Sequence, residues 1–200
     1  MNLKIVTRAA FVAAASLALS ACGINSVPAA EEVAKAKWAD VEAQFQRRAN
    51  LIPNLAEVAQ GAAENERGIL TEVTNARARA TAVNVTADDL GDADKMAELA
   101  AAQGQLSQGL GRLLASFEAY PTITSNQNFL ALQSQLEGTE NRIAVAIRDY
   151  NEAVRKYNTT IRTFPDTIGA NIIHGAEPLV PYSAVTEGAE EAPQLDLTSN

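Results

Sequence analysis

A single seam of apolar residues constrains the fold of this chain more than any other feature. Its positions follow one another at alternating steps of three and four residues, with one step occupied by Glu140: Phe129, Leu132, Leu136, Ile143, Ile147, Tyr150, Val154, Tyr157, Ile161 and Phe164. That spacing is typical of a helix packed lengthwise against other helices. At about 1.5 Å per residue it predicts a rod of roughly 50 Å, which needs partners of similar length.

Two further segments carry the same periodicity. The first keeps its steps over Trp38–Val73, across Pro53, and the second covers Ala93–Tyr120 and ends at Pro121. A proline inside a helix removes a hydrogen bond, so the first rod either kinks at Pro53 or divides there, and the unbroken phase favours the kink. We predict an all-α fold, an up-and-down antiparallel bundle of three long rods, or a four-helix bundle if the first rod splits.

The N-terminus has the features of a bacterial lipoprotein signal peptide. Lys4 and Arg8 precede a short apolar stretch, and Leu19-Ser20-Ala21-Cys22 follows it. The alternatives are an ordinary signal peptide or an uncleaved anchor, but the apolar run is short for a membrane-spanning helix of about 20 residues. We predict a signal peptide over residues 1–21, acylation of Cys22 by palmitate-type chains, and a tether over residues 22–30.

Composition narrows the possible functions. Loss of Lys4 and Arg8 with the signal peptide takes the net charge from −8 to −10, and an acidic chain without a basic stripe does not suit nucleic acid. Cys22 is the single cysteine, so its acylation leaves no thiol for a disulfide or a zinc site. Apart from this lipid, which anchors the protein to a membrane outside the cytoplasm, no cofactor is expected. Gly23 stands where inner-membrane retention often uses Asp, which favours the outer membrane.

The bundle is predicted over residues 31–165 and a tail over residues 166–200. From Pro165 onward the chain contains four prolines and six acidic residues, with no lysine or arginine. We expect this tail to be largely disordered, above all from Ala184. Two apolar stretches in it, Ile172-Ile173 and Leu179-Val180-Pro181-Tyr182, are expected to dock briefly on the bundle or on a partner.

Several polar side chains occupy seam positions that normally hold apolar ones. Arg48, Glu66 and Gln103 lie on the seams of the first two rods, and Glu140 lies on that of the third. Because a buried unpaired charge is costly, such groups should contact one another if the bundle encloses them. Polar layers of this kind usually fix helix register, so we favour a structural role over a ligand site.

Long, ordered motifs are spread along the rods. They comprise Gln46-Arg47-Arg48-Ala49-Asn50-Leu51-Ile52-Pro53-Asn54-Leu55, Glu118-Ala119-Tyr120-Pro121, Asn128-Phe129-x-x-Leu132-Gln133-x-x-Leu136-Glu137-x-Thr139-Glu140-Asn141-Arg142-Ile143, Tyr150-Asn151, Tyr157-Asn158 and Phe164-Pro165. These motifs closely resemble the LemA family of bacterial membrane-associated proteins. The resemblance implies a helical bundle held at a membrane, from a family with no settled biochemical activity. Typical members keep an uncleaved transmembrane helix, whereas this chain carries a lipobox.

The motifs supply the candidate positions for a polar core or an interaction surface: Arg47, Arg48, Asn50, Glu118, Glu137, Glu140, Asn141, Arg142, Asn151 and Asn158. Asn151 and Asn158 lie one heptad apart and share a helix face beside the core. We expect a non-catalytic binding or scaffolding module for an unidentified envelope protein, with its partner surface at Arg47, Arg48 and residues 118–128. The heptad seams also permit a homo-oligomer.

Enzymatic alternatives find little support in the residue types present. A ferritin-like di-metal bundle needs two Glu-x-x-His motifs, but the single histidine, His174, lies beyond the rods, and no metal site is predicted. Glu137 and Glu140 share a helix face, so a carboxylate-based metal-binding or hydrolytic bundle is the alternative. An accessory subunit of an envelope protease or transporter is a third interpretation.

Overall fold

The computed structural model describes residues 3–58 and 66–184, which form a helical bundle. Its helices are α1 (Leu3–Val58), α2 (Glu66–Ala82), α3 (Ala93–Phe117), α4 (Pro121–Thr124), α5 (Gln127–Thr160) and α6 (Asp166–Gly169). A 3-10 turn at Ala87–Asp89 precedes α3, and a π-helical turn at Ala170–His174 follows α6. Four of the described helices, α1, α2, α3 and α5, are long, which confirms the predicted all-α bundle.

The first predicted rod is two antiparallel helices. Helix α1 passes through Pro53 without dividing there but ends at Val58, and α2 runs back along it. The reversal is evident because Trp38 Nε1 donates to the carbonyl of Val85 at 2.8 Å, while Arg77 reaches Ala49. A continuous rod to Val73 and a division at Pro53 are therefore both wrong. The heptad phase runs on across residues 59–65, which lie outside the described ranges.

A side chain from α2 compensates for the proline inside α1. Proline has no N–H, so the carbonyl four residues earlier loses its helical donor. That carbonyl belongs to Ala49, which is 2% exposed, and it accepts a hydrogen bond from Arg77 Nε at 2.7 Å. Arg77 thus satisfies the carbonyl that Pro53 leaves without a partner, and it links the two helices.

Side-chain caps fix the starts of α3 and α5. The carboxylate of Asp92 accepts from the backbone N–H groups of Asp94 and Lys95, both at 3.0 Å, and Asn126 caps α5 through the N–H of Asn128 at 2.9 Å. Such caps satisfy N–H groups that have no partner within the helix. The acidic stretch before α3 is therefore a helix start.

Two of the apolar clusters that form the core lie on either side of a polar layer. One cluster contains Trp38 and Tyr150, and the other contains Ile52, Phe117 and Phe129. Along α1, α3 and α5 the buried polar residues fall between them: Arg48, Gln103 and Thr139. The polar layer therefore crosses the bundle near its middle.

Residues 22–30, which the sequence predicted to be the lipidated cysteine and a tether, are part of α1. Val27 is 1% exposed and packs with Tyr157, Ile161 and Ala170, so the apolar side chain finds a buried place that a free tether would not provide. The tether prediction is therefore wrong for the described backbone. Across the described ranges, no helix combines the length and apolar character that crossing a bilayer requires.

The chain after α5 returns to the bundle. The segment of residues 176–184, called the strap below, lies along α5, with Tyr182 buried and Leu179 and Val180 packed on the Trp38 cluster. Docking of Leu179–Tyr182 is thus confirmed, whereas Ile172 and Ile173 are 78% and 54% exposed. The disorder predicted for the tail does not apply to residues 166–184, because residues 166–174 are helical and the strap's backbone is hydrogen-bonded to α5. Residues 185–200 lie outside the described part.

Candidate functional site

Arg48 joins three helices in the polar layer. Its guanidinium, on a side chain 2% exposed, donates from Nη1 to Ser107 Oγ at 2.7 Å and to Glu140 Oε1 at 3.0 Å. Nη2 donates to Gln103 Oε1, and the guanidinium carbon lies 5.5 Å from the centre of the Phe45 ring. The polar seam residues of α1, α3 and α5 therefore meet.

This arrangement assigns Arg48 to the interior. A guanidinium this buried needs its hydrogen bonds and its counter-charge, because an unpaired buried charge is strongly destabilising. Both terminal nitrogens are committed to partners within the chain, and Nε alone among its nitrogens has none in the described part. Arg48 does not belong to a partner surface, and that part of the prediction is wrong.

Glu137 and Glu140 are engaged by different partners. Glu140 is 45% exposed and bound to Arg48, while Glu137 Oε1 accepts from Gln133 Nε2 at 3.2 Å on its own helix. Within the described ranges, no three histidine, cysteine or carboxylate side chains gather where they could hold a metal ion.

A second polar site lies on the surface between α1 and α5. We call this cleft of about 780 Å³ the arginine groove; it is lined by Ala43, Gln46, Arg47, Asn50, Leu51, Asn54, Gln135, Thr139 and Arg142. On α1, Gln46, Asn50 and Asn54 recur every four residues and Arg47 precedes Asn50 by three, so these polar side chains lie along one side of the helix. Antiparallel packing places that face beside the middle of α5. The groove thus brings together side chains that lie far apart in the sequence.

The groove is cationic although the chain is acidic overall. None of its described lining residues is acidic, and both Arg47 and Arg142 are exposed. Arg47 has no hydrogen bond or ion pair within the described residues, while Arg142 Nη2 makes a 3.4 Å contact with the Thr139 hydroxyl. Two guanidinium groups surrounded by amides can bind carboxylates or other oxyanions through paired hydrogen bonds.

Three other candidate positions lie away from these contacts. Asn141 is exposed beside Arg142 but does not line the groove, and Glu118 is exposed at the end of α3. The backbone of Cys22 lies within α1, and its side chain is outside the described part. Glu118 therefore does not line the groove that contains Arg47.

Asn151 and Asn158 bind the strap. Asn158 donates from Nδ2 to the Leu179 carbonyl at 2.8 Å and accepts from the Leu179 N–H at 2.9 Å. Asn151 makes the same pair of bonds with the carbonyl and N–H of Tyr182, both at 2.8 Å. Each asparagine side chain therefore satisfies both the backbone N–H and the backbone carbonyl of one strap residue.

The tyrosines that precede these asparagines extend the ladder. Tyr157 donates its hydroxyl to the Glu177 carbonyl at 3.0 Å, and Tyr150 donates to the Val180 carbonyl at 2.8 Å. Burial raises the pKa of both phenols, which keeps them protonated as donors. The shared face predicted for Asn151 and Asn158 is therefore a row of four backbone-binding side chains.

Tyr182 anchors the strap in an aromatic cluster. Its ring centre lies 5.8 Å from that of Phe45 and 6.5 Å from that of Trp38, which in turn lies 5.0 Å from Tyr150. Burial raises the pKa of Tyr182 to about 12, and the nearby charge of Arg48 opposes that rise.

A sequence profile describing the LemA family matches residues 37–197. The chain belongs to the LemA family. Among curated proteins, this LemA-family chain is 29% identical over 145 residues to magnetosome proteins MamQ 1 and MamQ 2 of Paramagnetospirillum magneticum strain AMB-1. It is 29% identical over 136 residues to magnetosome protein MamQ of Magnetospirillum gryphiswaldense strain MSR-1.

The LemA-family chain spans about half the length of these curated relatives. The matches cover 64% of this chain and 53% of MamQ 1 and MamQ 2, and 60% of this chain and 50% of the Magnetospirillum gryphiswaldense protein. The family match, by contrast, includes all four long helices at least in part, together with the strap.

Four residues that complete these polar sites are not predicted by the sequence. Gln135 and Thr139 line the groove from α5, and Arg77 and Ser107 complete polar contacts inside the bundle. The signal for the groove was present in α1, where Gln46, Asn50 and Asn54 repeat every four residues. Arg77 had no such signal, because its partner is a backbone carbonyl.

Proposed function

We propose that this LemA-family protein is a membrane-associated, non-catalytic binding module that presents the arginine groove to an envelope protein. The partner offers carboxylates to Arg47 and Arg142 and polar groups to the amides between them. Membrane association is supported by family membership. The lipid anchor on Cys22 and an extracytoplasmic, outer-membrane location rest on the lipobox and on Gly23.

The observation that carries this proposal is the pair of exposed guanidinium groups in a cleft whose described lining contains no acid. Some other basic side chains on the described surface lie beside carboxylates, as in the pairs Lys35–Glu31 and Arg112–Glu72. Fork-shaped donors that have no carboxylate partner in a cleft favour a planar acidic ligand. Complementary charge at an interface contributes mainly specificity and a faster association rate.

The test is site-specific crosslinking in intact cells. A photo-crosslinking residue at Asn54 or Gln135, both exposed in the groove, should capture one reproducible envelope protein that mass spectrometry identifies. The double charge reversal Arg47→Glu/Arg142→Glu should abolish that product. Arg148→Glu is the matched control, because its side chain is 71% exposed on the same helix, about 9 Å along the axis from Arg142, and does not line the groove.

Four results would contradict parts of this proposal. Crosslinks that survive the double reversal would show that the groove is not the partner surface, and self-crosslinks alone would indicate a homo-oligomeric structural role. Stoichiometric metal in the purified protein would favour the alternative centred on Glu137 and Glu140. A Cys22→Ala protein that still fractionates with membranes would refute the lipid anchor.

A further inference from the structure

The backbone N–H groups in the central part of the strap are all hydrogen-bonded to the groups around them. The N–H groups of Leu179 and Tyr182 bind the two asparagines, and the N–H of Val180 donates to the Leu90 carbonyl at 2.8 Å. The two remaining residues of this stretch, Pro178 and Pro181, have no N–H to satisfy. Every backbone donor from residue 178 to residue 182 is therefore bonded or absent.

The spacing of the ladder fits an extended peptide. Asn151 and Asn158 are separated by two helical turns, about 10.5 Å along the axis. Their partners, Tyr182 and Leu179, are three residues apart, which is about 10 Å only when the backbone is nearly extended. The face thus recognises backbone geometry, and the aromatic cluster around Trp38 and Phe45 adds a preference for one ring.

We propose that the α5 face formed by Tyr150, Asn151, Tyr157 and Asn158 is a binding site for extended peptides of a partner protein. The ligand class is the pattern Pro-apolar-apolar-Pro-aromatic, and this chain's own strap occupies the site in its absence. The proposal is independent of the arginine groove. A segment of this pattern in a partner makes the same backbone bonds and places its ring where Tyr182 lies.

The strap is suited to exchange with such a ligand. Among its described residues Tyr182 alone is fully buried, while Glu177, Pro178, Pro181 and Ser183 are exposed. Segments with few buried side chains open at lower free energy than the whole domain. Occupation by the chain's own strap lowers the apparent affinity for a competing peptide, and weakening the strap should restore it.

The test uses the full-length protein and a fluorescent synthetic peptide with the sequence of residues 175–184. The Tyr182→Ala protein should bind this peptide at least about tenfold more tightly than wild type does, because its strap has lost its anchor. Adding Asn151→Ala and Asn158→Ala should abolish binding. Asn171→Ala is the matched control, since that exposed amide bonds only to Thr167 on its own turn. A peptide with alanine in place of its tyrosine should not bind.

Hydrogen exchange on the wild-type protein tests the same idea without a destabilising change. Saturating unlabelled peptide should remove protection from the strap amides of Leu179, Val180 and Tyr182. Unchanged protection at saturation would overturn the proposal. So would a folded Tyr182→Ala protein with a released strap that fails to bind the peptide. A dimer that exchanges straps between copies would identify a second copy as the occupant and overturn the assignment to a partner protein.

Discussion

Replacing Arg77 with methionine should destabilise the bundle more than the loss of a half-exposed arginine usually does. Surface substitutions typically change stability by about 0.5 kcal/mol or less. Here the change removes the donor to the Ala49 carbonyl, which lies on a buried residue and has no helical N–H because residue 53 is proline. A buried carbonyl left unsatisfied costs about 1–3 kcal/mol. For a chain of this length, 2 kcal/mol corresponds to a fall in Tm of roughly 4–8 °C.

The reasoning is tested by combining this change with Pro53→Ala. An alanine at residue 53 restores the N–H that can donate to the Ala49 carbonyl, so Arg77→Met should then cost no more than about 0.5 kcal/mol. The double-mutant cycle subtracts whatever Pro53→Ala does alone, including a gain of up to about 3 kcal/mol in helix propensity. The expected coupling energy between the two positions is about 1–2 kcal/mol.

The assay is urea denaturation followed by tryptophan fluorescence and far-UV circular dichroism. Trp38 is the single tryptophan, is 1% exposed, and is hydrogen-bonded from α1 to Val85 in the segment that follows α2, so it reports on unfolding of the bundle. Arg79→Met, at an exposed position of the same helix, is the control. Equal costs of Arg77→Met with Pro53 and with Ala at position 53 would refute the explanation.

Three further predictions use the same denaturation assay. Arg48→Met should cost about 2 kcal/mol, because it leaves a buried amide oxygen of α3 without a donor, whereas Glu140, being 45% exposed, can be hydrated. Gly111→Ala should stabilise α3 by about 0.5–1 kcal/mol, since a Cβ there meets nothing within 4 Å; Gly109→Ala should gain less, because its Cβ would lie 3.3 Å from Val73 Cγ2. Stability should fall as the pH rises from about 10 to about 12, because burial raises the pKa of Tyr182 from 10.0 to about 12 and the unfolded chain therefore loses its phenolic proton first. Tyr182→Phe should make the fall of stability with pH less steep. An unchanged slope of stability against pH would contradict the assignment of this effect to Tyr182.

The heptad seams predicted the long helices but not where the first one ends. Periodicity reports which face of a helix is buried, and it carries no information on chain direction. Because the phase of α1 continues into α2, two antiparallel helices looked like one rod. Pro53 suggested a division of α1 that does not occur, because Arg77 on α2 supplies the hydrogen-bond donor that the Ala49 carbonyl lacks.

The polar sites differed in how far the sequence could predict them. Arg48, Gln103 and Glu140 stood out as polar residues on apolar seams, so their mutual contact was expected. Asn151 and Asn158 were placed on the correct face without a partner. Their partner is the backbone of the strap. Because the bonds are to backbone groups, they require no particular side chains in the strap, and only its two prolines and Tyr182 give a sequence signal.

The polar layer also fixes the position of the arginine groove along the bundle axis. Apolar seams alone would allow α5 to slide by one heptad along α1, but Arg48 would then face Gln133 or Ile147 and lose its counter-charge. One alignment of the two helices is therefore strongly preferred. Since α1 is continuous from residue 22 to Arg47, about 38 Å of helix separates them. The continuous helix therefore keeps the arginine groove at a fixed distance from residue 22, whatever anchors that residue.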